Sequence, residues 1–139
     1  MDWGERRIGL AISDPTQTIA TGLPTAMVRN LEDAVTRVAE VVVEREAERV
    51  VVGLPLHLSG ERGEAAHAAE AFAARLAEKL AMPVDTWDER LTSVMGTRRL
   101  HETGRRTGHH KGSVDQAAAV ALLEGFLRRL AIAREDAGR

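Results

Sequence analysis

Acidic side chains stand at three points of the sequence where secondary structure is predicted to change. Asp2 precedes a glycine turn, and Asp115 opens the last helical stretch. Between them, Asp88 and Glu89 end a short apolar run. In an open α/β sheet the carboxyl ends of strands and the amino ends of helices converge on one edge, where ligands bind. Carboxylates gathered there require a cation, and an oxygen-only donor set favours Mg²⁺ or Mn²⁺ over zinc. A pair of such ions, about 4 Å apart, supports phosphodiester hydrolysis.

Each of these acids also has a structural alternative. Asp115, in the first turn of its helix, would favourably oppose the helix macrodipole. However, positions 115, 118, 119, 122 and 126 share one helix face, so this acid lies on the apolar side and needs a partner. Asp88 and Glu89 could be solvated turn charges, or Glu89 could pair with Arg90. Asp2 by itself is a terminal polar residue. The residues alone therefore leave open whether these acids form a metal site or are ordinary structural and surface charges.

Basic residues are concentrated between positions 98 and 111. They are Arg98, Arg99, Arg105, Arg106 and Lys111, with Glu102 among them. Five positive charges less one negative charge give a local +4 in a protein of net charge −2. This asymmetry indicates a polyanionic partner, although a solvated helix end and loop would show the same charges.

Other chemistry-bearing residues give weaker signals. Adjacent His109 and His110 without a third ligand are poor evidence for zinc. The run GLPL at 53–56 lacks both the dinucleotide fingerprint and the Walker lysine, so it is interpreted as a strand terminator and His57 as a loop residue. The chain has no cysteine, which excludes disulfides, thiolate zinc sites and cysteine nucleophiles.

Alternating strands and helices must position these residues. The patterning predicts strands at 8–13, 18–23, 50–54 and 83–87, helices at 31–46, 64–80 and 92–103, a basic loop at 104–112, and a last helix from Ser113. Asn30 is the expected N-cap of the first helix, and Ser113 to Gln116 reads as a capping box. The run VVVGL at 50–54 is typical of a strand covered on both faces. The expected fold is α/β, a mixed sheet flanked by helices, with an initial antiparallel hairpin.

Length and composition limit the alternatives. A chain of 139 residues with 44% hydrophobic residues is expected to form a single domain over 1–139. The net charge of −2 argues against binding nucleic acid by bulk electrostatics, and four aromatic residues are too few for a broad base-stacking platform. No apolar run approaches the roughly 18 residues of a membrane span, and no signal-peptide core is present, so a cytoplasmic protein is expected.

Four blocks of this sequence follow one another at suitable spacing and cover nearly the whole chain. They are DWGERRIG at 2–9 with SD at 13–14, VGLPL at 52–56, DERLT at 88–92, and KG at 111–112 with VDQAA at 114–118. Together these blocks resemble the YqgF family of bacterial RNase H-like proteins. The family is related to Holliday-junction resolvases and is assigned to processing of the 5′ end of precursor 16S ribosomal RNA.

The resemblance implies an RNase H-like fold and metal-dependent phosphodiester hydrolysis by a cluster of acids. Residue by residue, it places the catalytic and metal-ligating acids at Asp2, Glu89 and Asp115, with Asp88 as a neighbour. Mg²⁺ or Mn²⁺ is the implied cofactor. The charge argument then makes four basic residues candidates for holding phosphates: Arg7, Arg105, Arg106 and Lys111.

The sequence departs from the family at its beginning. Members carry several apolar residues before the first acid, forming the strand on which it sits, whereas Met1 alone precedes Asp2. A terminal acid held by no strand would position a metal poorly. The first strand is therefore expected to be truncated in this sequence, with the true start upstream.

The predicted function is a metal-dependent nuclease that acts on structured RNA, as a monomer or weak homodimer. Branched DNA is the alternative substrate, because loops that contact phosphates carry no base information. A nucleic-acid-binding assembly factor without cleavage is an alternative from another class. An actin-like ATPase fragment is disfavoured, because those enzymes close two domains around the nucleotide.

Overall fold

The structure is a computed structural model that describes residues 7–55, 59–61, 63–91 and 111–137. Several sequence predictions lie outside these residues. They concern Asp2, His57, the helix at 92–103, and the loop at 104–110 with Arg105, Arg106, His109 and His110.

The described strands form two two-stranded sheets. Strand β1 (Arg7–Ser13) pairs antiparallel with β2 (Ala20–Met27), as the hairpin prediction requires. Strand β3 (Val50–Leu54) pairs parallel with β4 (Val84–Asp88), in a register that sets Gly53 opposite Trp87. Antiparallel and parallel pairing are both present, in two separate ladders.

Strand β2 runs past Pro24, where the sequence predicted its end. Ile8 lies opposite Ala26 and Leu10 opposite Leu23, so Gly9 alone faces both Pro24 and Thr25. This irregularity is a β-bulge, and a bulge is one of the few places where a strand tolerates proline, because no ladder hydrogen bond is required there.

Helix α1 (Leu31–Glu44) begins where the sequence predicts and ends two residues earlier than expected. The side chain of Asn30 accepts a hydrogen bond from the Asp33 backbone N–H at 2.8 Å, which confirms it as the N-cap. The buried residues of the helix are Ala34, Val35, Val38, Ala39 and Val42, which recur at helical spacing.

Helix α2 (Glu64–Leu80) packs against α1, β3 and β4. Its apolar face, which includes the fully buried Phe72 and Leu76, shares one core cluster with Val50, Val52 and Leu54 of β3. The alternate position of the strand, Val51, belongs to a second cluster with residues of the last helix. Strand β3 is therefore covered on both faces, as its sequence predicts.

Helix α3 (Lys111–Ala137) packs against β1 and β2 on the side opposite α1 and α2. It begins two residues before the predicted start at Ser113, so the capping-box prediction is wrong. Asp115 consequently lies in the second turn rather than the first, where the helix macrodipole is much weaker. In the described part of the chain, α3 and the shorter helices all lack the combination of length and hydrophobicity that a membrane span needs.

A cavity of about 630 Å³ separates the two ladders at one end of the molecule. Its lining includes Leu10, Ile12, Val50 and Val51 together with apolar side chains of α1 and α3. It is thus bordered by the carboxyl half of β1 and the amino half of β3. Asp115 and Glu89 lie at the other end, beside the start of β1 and the end of β4.

Candidate active site

Asp115 is held by Arg7. The Arg7 Nε atom donates a hydrogen bond to Asp115 Oδ2 at 2.9 Å, and the two side chains are 34% and 22% exposed. Helix α3 places Asp115 on the face of the fully buried Ala118, Ala119 and Leu122. An acid on this apolar face is expected to need a partner, and Arg7, the first residue of β1, is that partner.

Gly9 lets the helix approach β1 closely enough for this contact. A Cβ atom at position 9 would lie 2.0 Å from the backbone oxygen of Asp115 and 2.6 Å from its carbonyl carbon. These are backbone atoms, which cannot rotate away. The absence of a side chain at this bulge position is therefore a condition for seating Asp115 beside β1.

The neighbouring Gln116 fixes the same turn of α3 to β2. Its Nε2 atom donates to the Leu23 carbonyl oxygen at 2.8 Å, and the bare backbone of Gly22 accommodates the side chain. Gln116 therefore bonds across to the sheet. Two side-chain bonds on successive residues orient the amino-terminal part of α3.

Glu89 is a buried carboxylic acid directly after β4. Its side chain is 1% exposed, and it is the one buried charged residue among those the structure describes. Burial, reinforced by the negative charge of Asp88, raises the pKa of Glu89 from 4.5 to about 7. A nearby cation would offset this cost of ionisation, so the environment suits a group that meets a positive charge when a ligand binds.

The Glu89 carboxyl group lies in a space between β3 and α3 that Gly53 leaves open. A Cβ atom at Gly53 would lie 2.7 Å from Glu89 Oε1 and 2.4 Å from Leu122 Cδ1. Leu122 is fully buried, so the carboxyl group is packed between a strand backbone and an apolar helix face. Both candidate acids thus contact a glycine of a neighbouring strand.

Asp88 has a different environment from Glu89. The Arg90 backbone N–H donates to Asp88 Oδ1 at 2.9 Å, and the Arg90 guanidinium group bonds both carboxylate oxygens. These bonds lower the pKa of Asp88. Arg90 therefore binds the carboxylate of Asp88, the acid that precedes Glu89.

Asp115 belongs to α3, and Glu89 packs against the same helix at a different level. Leu122, the neighbour of Glu89, follows Asp115 by seven residues, which is roughly 10 Å along an α-helix. Among the residues that the structure describes, no three acidic or histidine side chains form a group that could hold a metal ion. Asp2, the third predicted ligand, lies outside them, as does the side chain of Lys111.

The donor chemistry of the predicted set nevertheless fits a hard divalent cation. All three donors are carboxylates, which suit Mg²⁺ or Mn²⁺. Burial, which raises the pKa of Glu89, disfavours an uncompensated negative charge there.

Sequence reasoning did not identify Gly9 or Gly53 as parts of the site. Gly53 has the sequence pattern of a strand terminator, and Gly9 stands within a longer motif. A glycine inside an apolar, β-branched strand marks a close approach of another group, and that signal was available at both positions.

Strands covered by helices on both sides are the arrangement expected of an RNase H-like fold. In agreement, the structure superposes on RuvC of Thermus thermophilus with a TM-score of 0.55 at 18% sequence identity, covering 94% of this chain and 93% of that one. RuvC of the same organism in complex with a Holliday junction substrate gives a TM-score of 0.58, also at 18% identity, over 94% and 92% of the two chains.

The chain belongs to the RuvX family, described as Holliday junction resolvase, whose model matches residues 1–129. A relative from Koribacter versatilis, named "Putative pre-16S rRNA nuclease", is 41% identical over 98% of this chain and 89% of its own length. A relative of the same name from Chloroflexus aurantiacus is 43% identical over 91% and 83%. RuvX is another name for the YqgF family. The predictions of an RNase H-like fold, of membership in this family and of nuclease activity are confirmed.

Proposed function

We propose that this protein hydrolyses phosphodiester bonds of precursor 16S ribosomal RNA at its 5′ end, with a divalent metal ion held by Asp2, Glu89 and Asp115. The observation that carries the proposal is the burial of the Glu89 carboxyl group at the end of β4, on the edge to which Arg7 and Asp115 belong. Burying an ionised carboxylate is costly unless the charge is compensated, and a bound divalent cation would compensate it.

The metal supplies Lewis-acid activation of water and of the leaving oxygen when it is bound. The chain's own residues prepare the site for it. Glu89 contributes a buried carboxylate whose position is set by β3 and α3, and Asp115 contributes one that Arg7 orients. Mg²⁺ and Mn²⁺ both match this oxygen-only set.

Arg7 is proposed to serve Asp115 and the substrate together. Its bond to Asp115 engages Nε, and the two Nη atoms lie outside that bond. A guanidinium group presents a planar fork suited to phosphate. Arg105, Arg106 and Lys111 are proposed to hold further phosphates, on the strength of the local positive charge around them.

The RNA assignment rests on the names of the relatives, and branched DNA is the second candidate. The family description names Holliday junction resolution, and one fold neighbour was solved with such a junction. A cytoplasmic enzyme, monomeric or weakly dimeric, fits both substrates. An assembly factor without cleavage is the third candidate, and it would need the same phosphate contacts.

Parallel cleavage assays test these alternatives. A precursor-rRNA hairpin and a four-way DNA junction are each incubated with Mg²⁺, with Mn²⁺ and with EDTA. The proposal expects metal-dependent cleavage of the hairpin that Asp115→Asn abolishes while the unfolding midpoint stays near that of the wild type. Cleavage that survives in EDTA would refute the metal role. Binding retained by Asp115→Asn, with no turnover by the wild type on either substrate, would instead support the assembly factor.

A further inference from the structure

Gly53 occupies the one position of β3 that faces both Glu89 and α3. Its neighbours Val52 and Leu54 point to the opposite face, into the core formed with α1 and α2. A Cβ atom at Gly53 would come within 2.7 Å of Glu89 Oε1 and 3.3 Å of Glu89 Cγ. The carboxyl group therefore lies where the side chain of any other residue at position 53 would begin.

The atoms that crowd Gly53 are ends of side chains. Glu89 Oε1 and Leu122 Cδ1 both move by rotation about side-chain bonds, unlike the Asp115 backbone that crowds Gly9. A methyl group at position 53 can therefore be accommodated by turning the carboxyl group aside. Because both residues are fully buried, such a rotation moves the carboxyl group out of its packed position.

We propose that Gly53 is a positioning residue, whose missing side chain sets the place of the Glu89 carboxyl group between β3 and α3. The inference rests on the proposed function, because it matters for catalysis only if Glu89 holds the metal ion. Its main consequence is that enlarging residue 53 disturbs metal binding more than folding. Groups that orient a metal ligand typically change metal affinity by 10–100-fold when altered.

Binding of Mn²⁺ to the protein without substrate, measured by electron paramagnetic resonance, tests the inference directly. Gly53→Ala is expected to weaken Mn²⁺ binding about tenfold. Val52→Ala is the matched control, since it perturbs the same strand on the face away from Glu89. It should lower the unfolding midpoint at least as much and leave Mn²⁺ affinity within about twofold of the wild type.

Kinetics provide a second readout. Because residue 53 contacts Glu89 and Leu122, Gly53→Ala is expected to lower kcat for the RNA hairpin about tenfold while KM stays within about twofold. If the single variant does not fold, Gly53→Ala with Leu122→Ala removes the contact at α3 and keeps the contact with Glu89. That double variant should then show the same loss of Mn²⁺ affinity relative to Leu122→Ala.

A double-mutant cycle with Glu89→Gln separates the possible failures. If Gly53 acts through Glu89, then Gly53→Ala adds less than about twofold in the Glu89→Gln background. An equal loss in both backgrounds overturns the inference. Unchanged Mn²⁺ binding by Gly53→Ala, beside weakened binding by Glu89→Gln, overturns the inference and leaves the proposed function standing. Unchanged binding by Glu89→Gln refutes the metal role of Glu89 and the inference with it.

Discussion

Arg7 Nε and Asp115 Oδ2 lie 2.9 Å apart and join residues separated by 108 positions in the chain. The pair links the first described residue of β1 to the second turn of α3. It gives an acid on an apolar helix face the partner that its position demands. It also means that the charge of Asp115 and the orientation of Arg7 depend on each other.

Replacing Arg7 should impair catalysis more than stability. Arg7→Gln removes the bond that orients Asp115, and we expect kcat on the RNA hairpin to fall about tenfold or more. Both side chains are partly exposed, so the free energy of unfolding should change by no more than about 1 kcal/mol. Cleavage rates and urea denaturation measure the two effects. Arg37→Gln, which breaks the exposed pair with Asp33 on α1, is the matched control and should leave kcat unchanged.

Gly9→Ala is expected to destabilise the whole fold. The added methyl group would meet the Asp115 carbonyl, so β1 and α3 must separate, at a cost of about 3 kcal/mol in the free energy of unfolding. Gly22→Ala is the comparison, because its methyl group meets the Gln116 side chain, which can rotate at the cost of about 1 kcal/mol for its hydrogen bond. Equal urea midpoints for the two variants would contradict the close approach at Gly9.

Glu89 should make the metal-free protein less stable as the pH rises. Burial raises its pKa from 4.5 to about 7, so between these values the folded state keeps a proton that the unfolded state has lost. The contribution of Glu89 to the free energy of unfolding is therefore fully present below pH 4.5. It is lost as the pH rises through 7, and the loss is on the order of 3 kcal/mol. Urea denaturation in EDTA from pH 4.5 to 8 measures the decline. Glu89→Gln should remove it, and an unchanged slope in this variant would show that another group is responsible.

Asp14 should have the opposite pH dependence. Hydrogen bonds from the Ile19 N–H, the Thr16 hydroxyl and the Thr18 N–H lower its pKa from 3.8 to about 2. Its stabilisation of the β1–β2 turn is thus present above pH 4 and is lost as the pH falls through about 2. A pH titration of the Asp14 carboxyl group by NMR measures this pKa directly. Thr16→Val, which removes one of the three donors, should raise it part of the way, and an unshifted value would contradict the turn geometry.

Most of the elements were predictable because their signals are local. The N-cap at Asn30, the apolar spacing of α1 and α2, and the β-branched run of β3 each arise from neighbouring residues. The exceptions have tertiary causes. Strand β2 continues past Pro24 through a β-bulge opposite Gly9, and Gln116 of α3 bonds to the Leu23 carbonyl of β2, a contact between residues 93 positions apart.

The sequence was sufficient to predict which acids belong to the candidate site, but it did not predict which residues contact them. The apolar face of α3 already showed that Asp115 needs a partner, yet nothing near it in sequence indicated Arg7. The sequence also did not indicate that Arg90 binds Asp88 or that Glu89 is the acid buried after β4. A dipeptide of two acids cannot reveal which one is buried.

By itself the sequence determined the order of strands and helices, the acids at their ends, and the placement of Asp115 on an apolar face, because periodicity and capping act over a few residues. Only the tertiary structure decided that Arg7 partners Asp115, that Glu89 is the buried acid, and that Gly9 and Gly53 make room for them. Those contacts form between segments distant in the chain, and their distances depend on how closely α3 packs against the strands.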